Sequence, residues 1–195
     1  MKAVICINKA NLMKLLEKYY PNDIFEKSYK SKILEFISNN QVVFGKENRR
    51  GHITGSSWVI NKSKNKVLLC YHRKLDKWLQ FGGHSDDNED VLDTALREAT
   101  EESGLESLKL LSEEIFDVDI HSIPMIGDEN EHIHYDIRFV FEADERENIR
   151  ISNESKDIAW IDLENVKNFN CSASLLRMIE KTKYYIVIGE GVNDC

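Results

Sequence analysis

Three glutamates crowd one short stretch, Arg97-Glu98-Ala99-Thr100-Glu101-Glu102-Ser103-Gly104-Leu105. Residues four apart share a helix face, so Glu98 and Glu102 point the same way, with Glu101 beside them. At about 100° per residue, the apolar set Val91, Leu92, Ala95, Leu96 and Ala99 defines a core face. Glu102 then falls about 50° from its centre and Glu98 about 90°, while Glu101 points well away. A solvated acidic stripe explains Glu101 but not Glu102, because an uncompensated carboxylate facing a core costs several kcal/mol. A hard dication resolves the conflict, since Mg²⁺ or Mn²⁺ prefers carboxylate, carbonyl and water oxygens. Arg97 points the other way on the helix; a basic residue from elsewhere in the fold is the alternative partner. Ahead of the helix, Gly82-Gly83 lets the backbone expose a carbonyl where a side chain would block approach. The acidic loop with Asp86, Asn88 and Asp90 invites comparison with a calcium-binding EF-hand. The comparison fails, because Val91 replaces the turn glycine and Arg97 the bidentate glutamate.

A second polar group lies further on. In His132 to Phe141, His132, His134, Asp136 and Arg138 alternate with Ile133, Tyr135, Ile137 and Phe139, the period of a strand with two unlike faces. The polar four are expected to line a substrate cleft, or the histidines to join a metal site. Arg73 and Lys74, at a strand end, are candidates for substrate phosphates. Trp78 fits core packing better than base stacking, and Trp160 belongs to the core.

The elements that must position these groups follow from the pattern. Leu12, Leu15, Leu16 and Tyr19, then Ile33, Leu34, Phe36 and Ile37, recur at helical spacing around Pro21-Asn22, predicting two short helices in an N-terminal appendage, residues 1–40, packed on a main domain, residues 41–195. In that domain Ile53 to Ile60 and Val67 to His72 read as a hairpin, and Trp78 to Phe81 as a short extended piece. A helix from Asp90 to Ser103 closes at Gly104. Strands follow at Ile115 to Ile120, His132 to Phe141 and Ile158 to Ile161, then a helix from Ser174 to Lys181. The chain of 195 residues carries 34 Asp plus Glu against 26 Lys plus Arg, a net charge of -8, which argues against duplex nucleic acid as a partner. Four scattered cysteines without a Cys-x-x-Cys pair read as reduced thiols, and no apolar run is long enough for a signal core or a membrane span, so a cytoplasmic protein is expected.

Gly83, then Glu89, then Arg97-Glu98-Ala99-Thr100-Glu101-Glu102-Ser103-Gly104-Leu105 resembles the complete Nudix box of the Nudix hydrolase superfamily, with every fixed position filled. The resemblance runs from about Ile53 to Lys181. It implies an α/β/α sandwich around a mixed β-sheet, with the N-terminal helices an extension outside it. It also implies that Glu98 and Glu102 are the principal metal ligands, that Glu101 serves a second ion or its water, and that the Gly82 carbonyl completes the shell. Glu89 would pair with Arg97. The chemistry implied is Mg²⁺-dependent hydrolysis, with Mn²⁺ a possible substitute, of a diphosphate linkage in a small molecule such as a nucleoside diphosphate derivative. Glu98 is the first expectation for the base, with Glu129 and Glu131 as candidates outside the box. Another Nudix reaction, isomerisation of a prenyl diphosphate, is the enzymatic alternative. A ligand sensor or partner-binding module, with Leu12 to Ile37 as the contact surface, is the non-enzymatic one. The intact box favours hydrolysis.

Overall fold

Strand β1 (Gly51–Asn61) is buried at every position, the mark of a strand covered on both faces. The computed structural model, which describes residues 9–85, 90–125 and 130–190, shows why. β1 pairs in parallel along its whole length with β7 (His132–Ala143). On its other edge it pairs antiparallel with β4 (Phe81–His84) at one end and with β2 (Lys66–His72) at the other. β2 goes on to hold β3 (Lys77–Leu79) and β8 (Ser155–Asp162), and β7 holds β5 (Lys109–Leu110) and β6 (Asp117–Ile123). The parallel pair among antiparallel ones makes the sheet mixed, as the resemblance implied.

Helix α3 (Val91–Ser103) is fixed at both ends. The Asp90 carboxylate accepts the backbone N–H groups of Leu92 and Asp93, and Gly104, at φ 71°, closes the last turn with its N–H on the Thr100 carbonyl. The helix lies on the β1 face that carries Gly55 and Ser57: a side chain at Gly55 would strike the Val91 carbonyl, and Ser57 Oγ donates to the Ala95 carbonyl at 2.6 Å. Helix α4 (Ala173–Glu190) covers the opposite face. There Trp58 Nε1 donates to Thr182 Oγ1 at 2.8 Å, and Met178 packs in one cluster with Trp58 and Val140.

The N-terminal helices α1 (Lys9–Lys18) and α2 (Ile24–Asn39) break at Pro21-Asn22, where Asp23 caps the second helix by accepting the Glu26 N–H at 2.7 Å. Leu12, Leu16, Ile33 and Ile37 are buried in the same cluster as Ile53 and Phe139 of the sheet, and the Phe36 ring stacks on Tyr135 at 4.0 Å. α2 packs along β6.

The structure departs from the sequence reading in a few places. β6 starts at Asp117 and runs on to Ile123, and α4 reaches Glu190. Leu96 is 37% exposed, off the core face assigned to it, and Trp160 is half-buried. β5 and a 3-10 turn over Val166–Asn168 are too short to show a period in sequence. Among the described residues no helix is long and apolar enough to cross a membrane.

Candidate active site

The three glutamates of α3 sort by burial as their helical phase requires. Glu102 is 5% exposed, the Glu98 side chain 16% and the Glu101 side chain 61%. Gly83 on β4 makes room for Glu98: a Cβ there would lie 2.5 Å from the carboxylate carbon. Gly82, expected to offer its carbonyl, directs its N–H to Glu102 Oε1 at 3.2 Å. Arg97 pairs with Glu98 at 2.9 Å and Glu101 at 3.1 Å, and its other nitrogen donates to the His84 carbonyl at 3.0 Å. One guanidinium thereby ties helix to strand and leaves Glu102 without a cationic partner among the described residues.

Burial pushes the Glu102 carboxyl up to about 8; the charges of Glu98 and Glu154 add to this, and the bonds from Gly82 N–H and Cys70 oppose it. Glu98 is raised as well, chiefly by burial and against the pull of Arg97. The Cys70 thiol beneath them is pushed up to about 12 by burial and by Glu102, so it is an inert free thiol, as is expected of a cysteine in the core. A sealed carboxylate facing two others, without a cation, is a set of hard oxygen donors. That donor set fits Mg²⁺ or Mn²⁺.

Glu154 was not singled out in the sequence. It stands just ahead of β8, and its charge reaches both Glu98 and Glu102. Arg73 braces that segment: its backbone N–H donates to the Glu154 carbonyl at 2.8 Å, Nε to Asn153 at 3.0 Å and Nη2 to Ser155 at 2.9 Å. Arg73 nonetheless remains exposed. Glu131 is exposed, while Glu89, Glu129, Asp86 and Asn88 lie outside the described residues. Trp78 is half-buried between Tyr71 and Phe169.

The polar face of β7 divides into two parts. Asp136 and Arg138 are 1% and 2% exposed and belong to a buried charge network. Asp136 accepts from Thr54 at 2.9 Å, Ser56 at 2.7 Å and Arg138 Nε at 2.8 Å. Arg138 also bridges Asp117 at 3.1 Å and Asp119 at 3.0 Å. From α4, Arg177 and Lys181 reach Asp117 at 2.7 and 2.9 Å, and Lys181 also pairs with Glu26 of α2. These cations hold Asp117 below the usual carboxylate range despite its burial. Every guanidinium nitrogen of Arg138 is committed inside the protein, so the side chain holds β6, β7 and α4 together.

His132 and His134 lie apart from that network, in contact with each other and with two histidines that the sequence reading did not group with them, His52 and His84. Burial and the neighbouring imidazoles, His121 foremost, hold His134 well below its ordinary pKa, in the neutral form.

A family model described as "NUDIX domain" matches residues 52–181. A protein of Lactococcus lactis subsp. cremoris (strain MG1363) described as a probable DHNTP pyrophosphohydrolase is 32% identical over 119 residues, 60% of this chain and 69% of that protein. Among solved structures, a C. elegans Ap4A hydrolase superimposes with a TM-score of 0.52 at 16% identity, covering 69% of this chain and 97% of that one. The E. coli dihydroneopterin triphosphate pyrophosphohydrolase gives 0.51 at 16% identity, covering 72% and 97%. At such identities these two likenesses speak for the fold.

Proposed function

Because the chain belongs to the Nudix family, we propose that it hydrolyses a diphosphate linkage in a nucleoside diphosphate derivative or a similar small phosphorylated metabolite, by attack of water at phosphorus with Mg²⁺ bound. The observation that carries this reading is Glu102: a carboxylate 5% exposed, bonded to the Gly82 N–H and within the field of Glu98 and Glu154, with no cationic side chain among the described residues to compensate it. When bound, Mg²⁺ screens phosphate charge and acidifies a bound water.

The chain's own residues divide the remaining work. Glu102 is held fixed by the strand and supplies a ligand that cannot swing into solvent. Glu98 is buried enough to be held by Gly83 and Arg97 yet still reachable, which suits it to accept the proton of the attacking water. Arg97 aims Glu98 and Glu101 and fastens the helix to β4 through the His84 carbonyl. Glu101, on the outer turn, and Glu154, just ahead of β8, would serve a second ion or its water shell. Arg73 and Lys74 are exposed beside that segment and offer positive charge to the substrate phosphates.

The test is a Mg²⁺-dependent cleavage panel over dihydroneopterin triphosphate, Ap4A, ADP-ribose, nucleotide sugars and nucleoside triphosphates, with the phosphorylated products separated and identified by chromatography. At least one substrate is expected to turn over, and Glu102→Gln is expected to abolish turnover with the fold intact. Activity unchanged in Glu102→Gln refutes the assignment, and so does tight binding of a panel member without product.

A further inference from the structure

We propose that His52, His84, His132 and His134 form a second metal site, separate from the carboxylates of α3, that takes a first-row d-block dication of the zinc class. One ring nitrogen from each of the four lies within 4.8 Å of those of the others. They come from three strands. His52 and His134 face each other across the parallel β1–β7 pair, His132 is two residues along β7, and His84 ends β4. Ring centroids are 4.7 Å apart for His52 and His84, 5.0 Å for His52 with either His132 or His134, and 4.8 Å for His132 and His134.

The nitrogens converge tip to tip. His134 Nε2 is 3.0 Å from His132 Nε2 and 3.1 Å from His84 Nε2. His132 Nδ1 lies 2.8 Å from the Asn130 carbonyl, which can only accept, so the proton of the neutral ring sits on Nδ1 and Nε2 presents a lone pair to the cluster. A single proton on His134 Nε2 cannot point along both of its contacts at once. A dication between the nitrogens replaces that conflict with coordinate bonds. Four nitrogens at about 2.0–2.1 Å from zinc stand about 3.3 Å from one another, a spacing that lies between the 3.0 Å contact and the 4.8 Å outer bound of the cluster.

The donor set selects the ion. Neutral imidazoles suit zinc, copper, nickel and iron, and are poor ligands for Mg²⁺, which wants the oxygens gathered on α3. Strand alternation separates the two sites. On β1, Gly55 and Ser57 face α3, so His52, Thr54 and Ser56 face away from it. On β4, Gly83 faces Glu98 while His84 enters the imidazole cluster. Nearby, His121 stands 5.4 Å from the His134 ring with Asp119 3.5 Å from its Nδ1, and that carboxylate is itself bound by Arg138. An ion held here clamps β1, β4 and β7 together at the end where Arg97 reads the His84 carbonyl.

The experiment uses the full chain without an affinity tag, stripped with EDTA, reloaded with Zn²⁺ and dialysed. Elemental analysis is expected to find one zinc per chain, kept in Glu98→Gln/Glu102→Gln and lost in His132→Ala/His134→Ala, with affinity falling by more than about 100-fold. X-ray absorption at the zinc edge of the unmutated protein, which does not depend on any variant folding, is expected to show about four imidazole nitrogens at about 2.0 Å. No stoichiometric uptake, a shell of carboxylate oxygens, or loss of zinc in the glutamate variant overturns the proposal.

Discussion

Gly83→Ala separates catalysis from folding at a single methyl group. The new Cβ would sit 2.5 Å from the Glu98 carboxyl carbon and one of its oxygens, and 2.8 Å from the other. Non-bonded carbon atoms rest at about 3.5–4.0 Å, so the carboxylate must retreat by about 1 Å. The group that yields is the end of a flexible side chain, and the β4 backbone is extended at this point, so the fold loses little; the smaller entropy of alanine in the unfolded chain offsets it by about 0.4–1 kcal/mol. Catalysis has no such slack. A displacement of about 1 Å in a catalytic group costs about 100-fold, equivalent to about 2.7 kcal/mol of transition-state stabilisation. The expected result is kcat/KM lower by about 100-fold at saturating Mg²⁺, with a denaturation midpoint equal to or slightly above that of the parent. Gly82→Ala is the contrast, because its Cβ meets the Ser56 Cα at 2.8 Å, where backbone would have to move; it is expected to lower stability. Full activity in Gly83→Ala, or a loss that simply tracks unfolding, would refute the proposed role of Glu98 as a carboxylate positioned by Gly83 for the reaction.

Two further outcomes follow from burial. Burial pushes the Glu102 carboxyl from 4.5, the ordinary glutamate value, up to about 8, so the native state holds the proton more tightly than the unfolded one. In metal-free protein this contribution is intact below about pH 4.5 and is lost as pH rises through about 8, at most about 5 kcal/mol. Chemical denaturation with EDTA present, at steps between pH 5 and 8, should show it as a decline that Glu102→Gln flattens and Mg²⁺ reverses; identical pH profiles for the two proteins would contradict it. Arg138→Met strands Asp136 and weakens the compensation of Asp117 and Asp119, and is expected to cost about 3–5 kcal/mol of stability. A raised KM with an unchanged denaturation midpoint would instead place that guanidinium on the substrate.

What the sequence disclosed was local. The phase of Glu98, Glu101 and Glu102 on α3, the closing role of Gly104 and the two-faced pattern of β7 are all readable within one or two turns of chain, and the structure reproduces each. What it withheld depends on strand order. His52 joins His134 only because β1 and β7 lie side by side in parallel, 82 residues apart in sequence. The polar series His52, Thr54 and Ser56 at every second position was a legible hint that β1 has a polar face. Arg138 reads as a cleft residue when β7 is considered alone; the alternating acids Asp117 and Asp119 on β6 are what bury it. Glu154 belongs to no local pattern and reaches the carboxylates only through the β2–β8 pairing.

The bond between Lys181 and Glu26 has a consequence for the order of synthesis. The two side chains are 155 residues apart, so when α2 leaves the ribosome its acid has no ammonium to meet, and the apolar sides of the first two helices have no sheet to rest on. Glu26 must stay hydrated until α4, which carries Lys181, has been made. Helices α1 and α2 therefore dock only after the strands that follow them and α4 have been made, late relative to their own emergence.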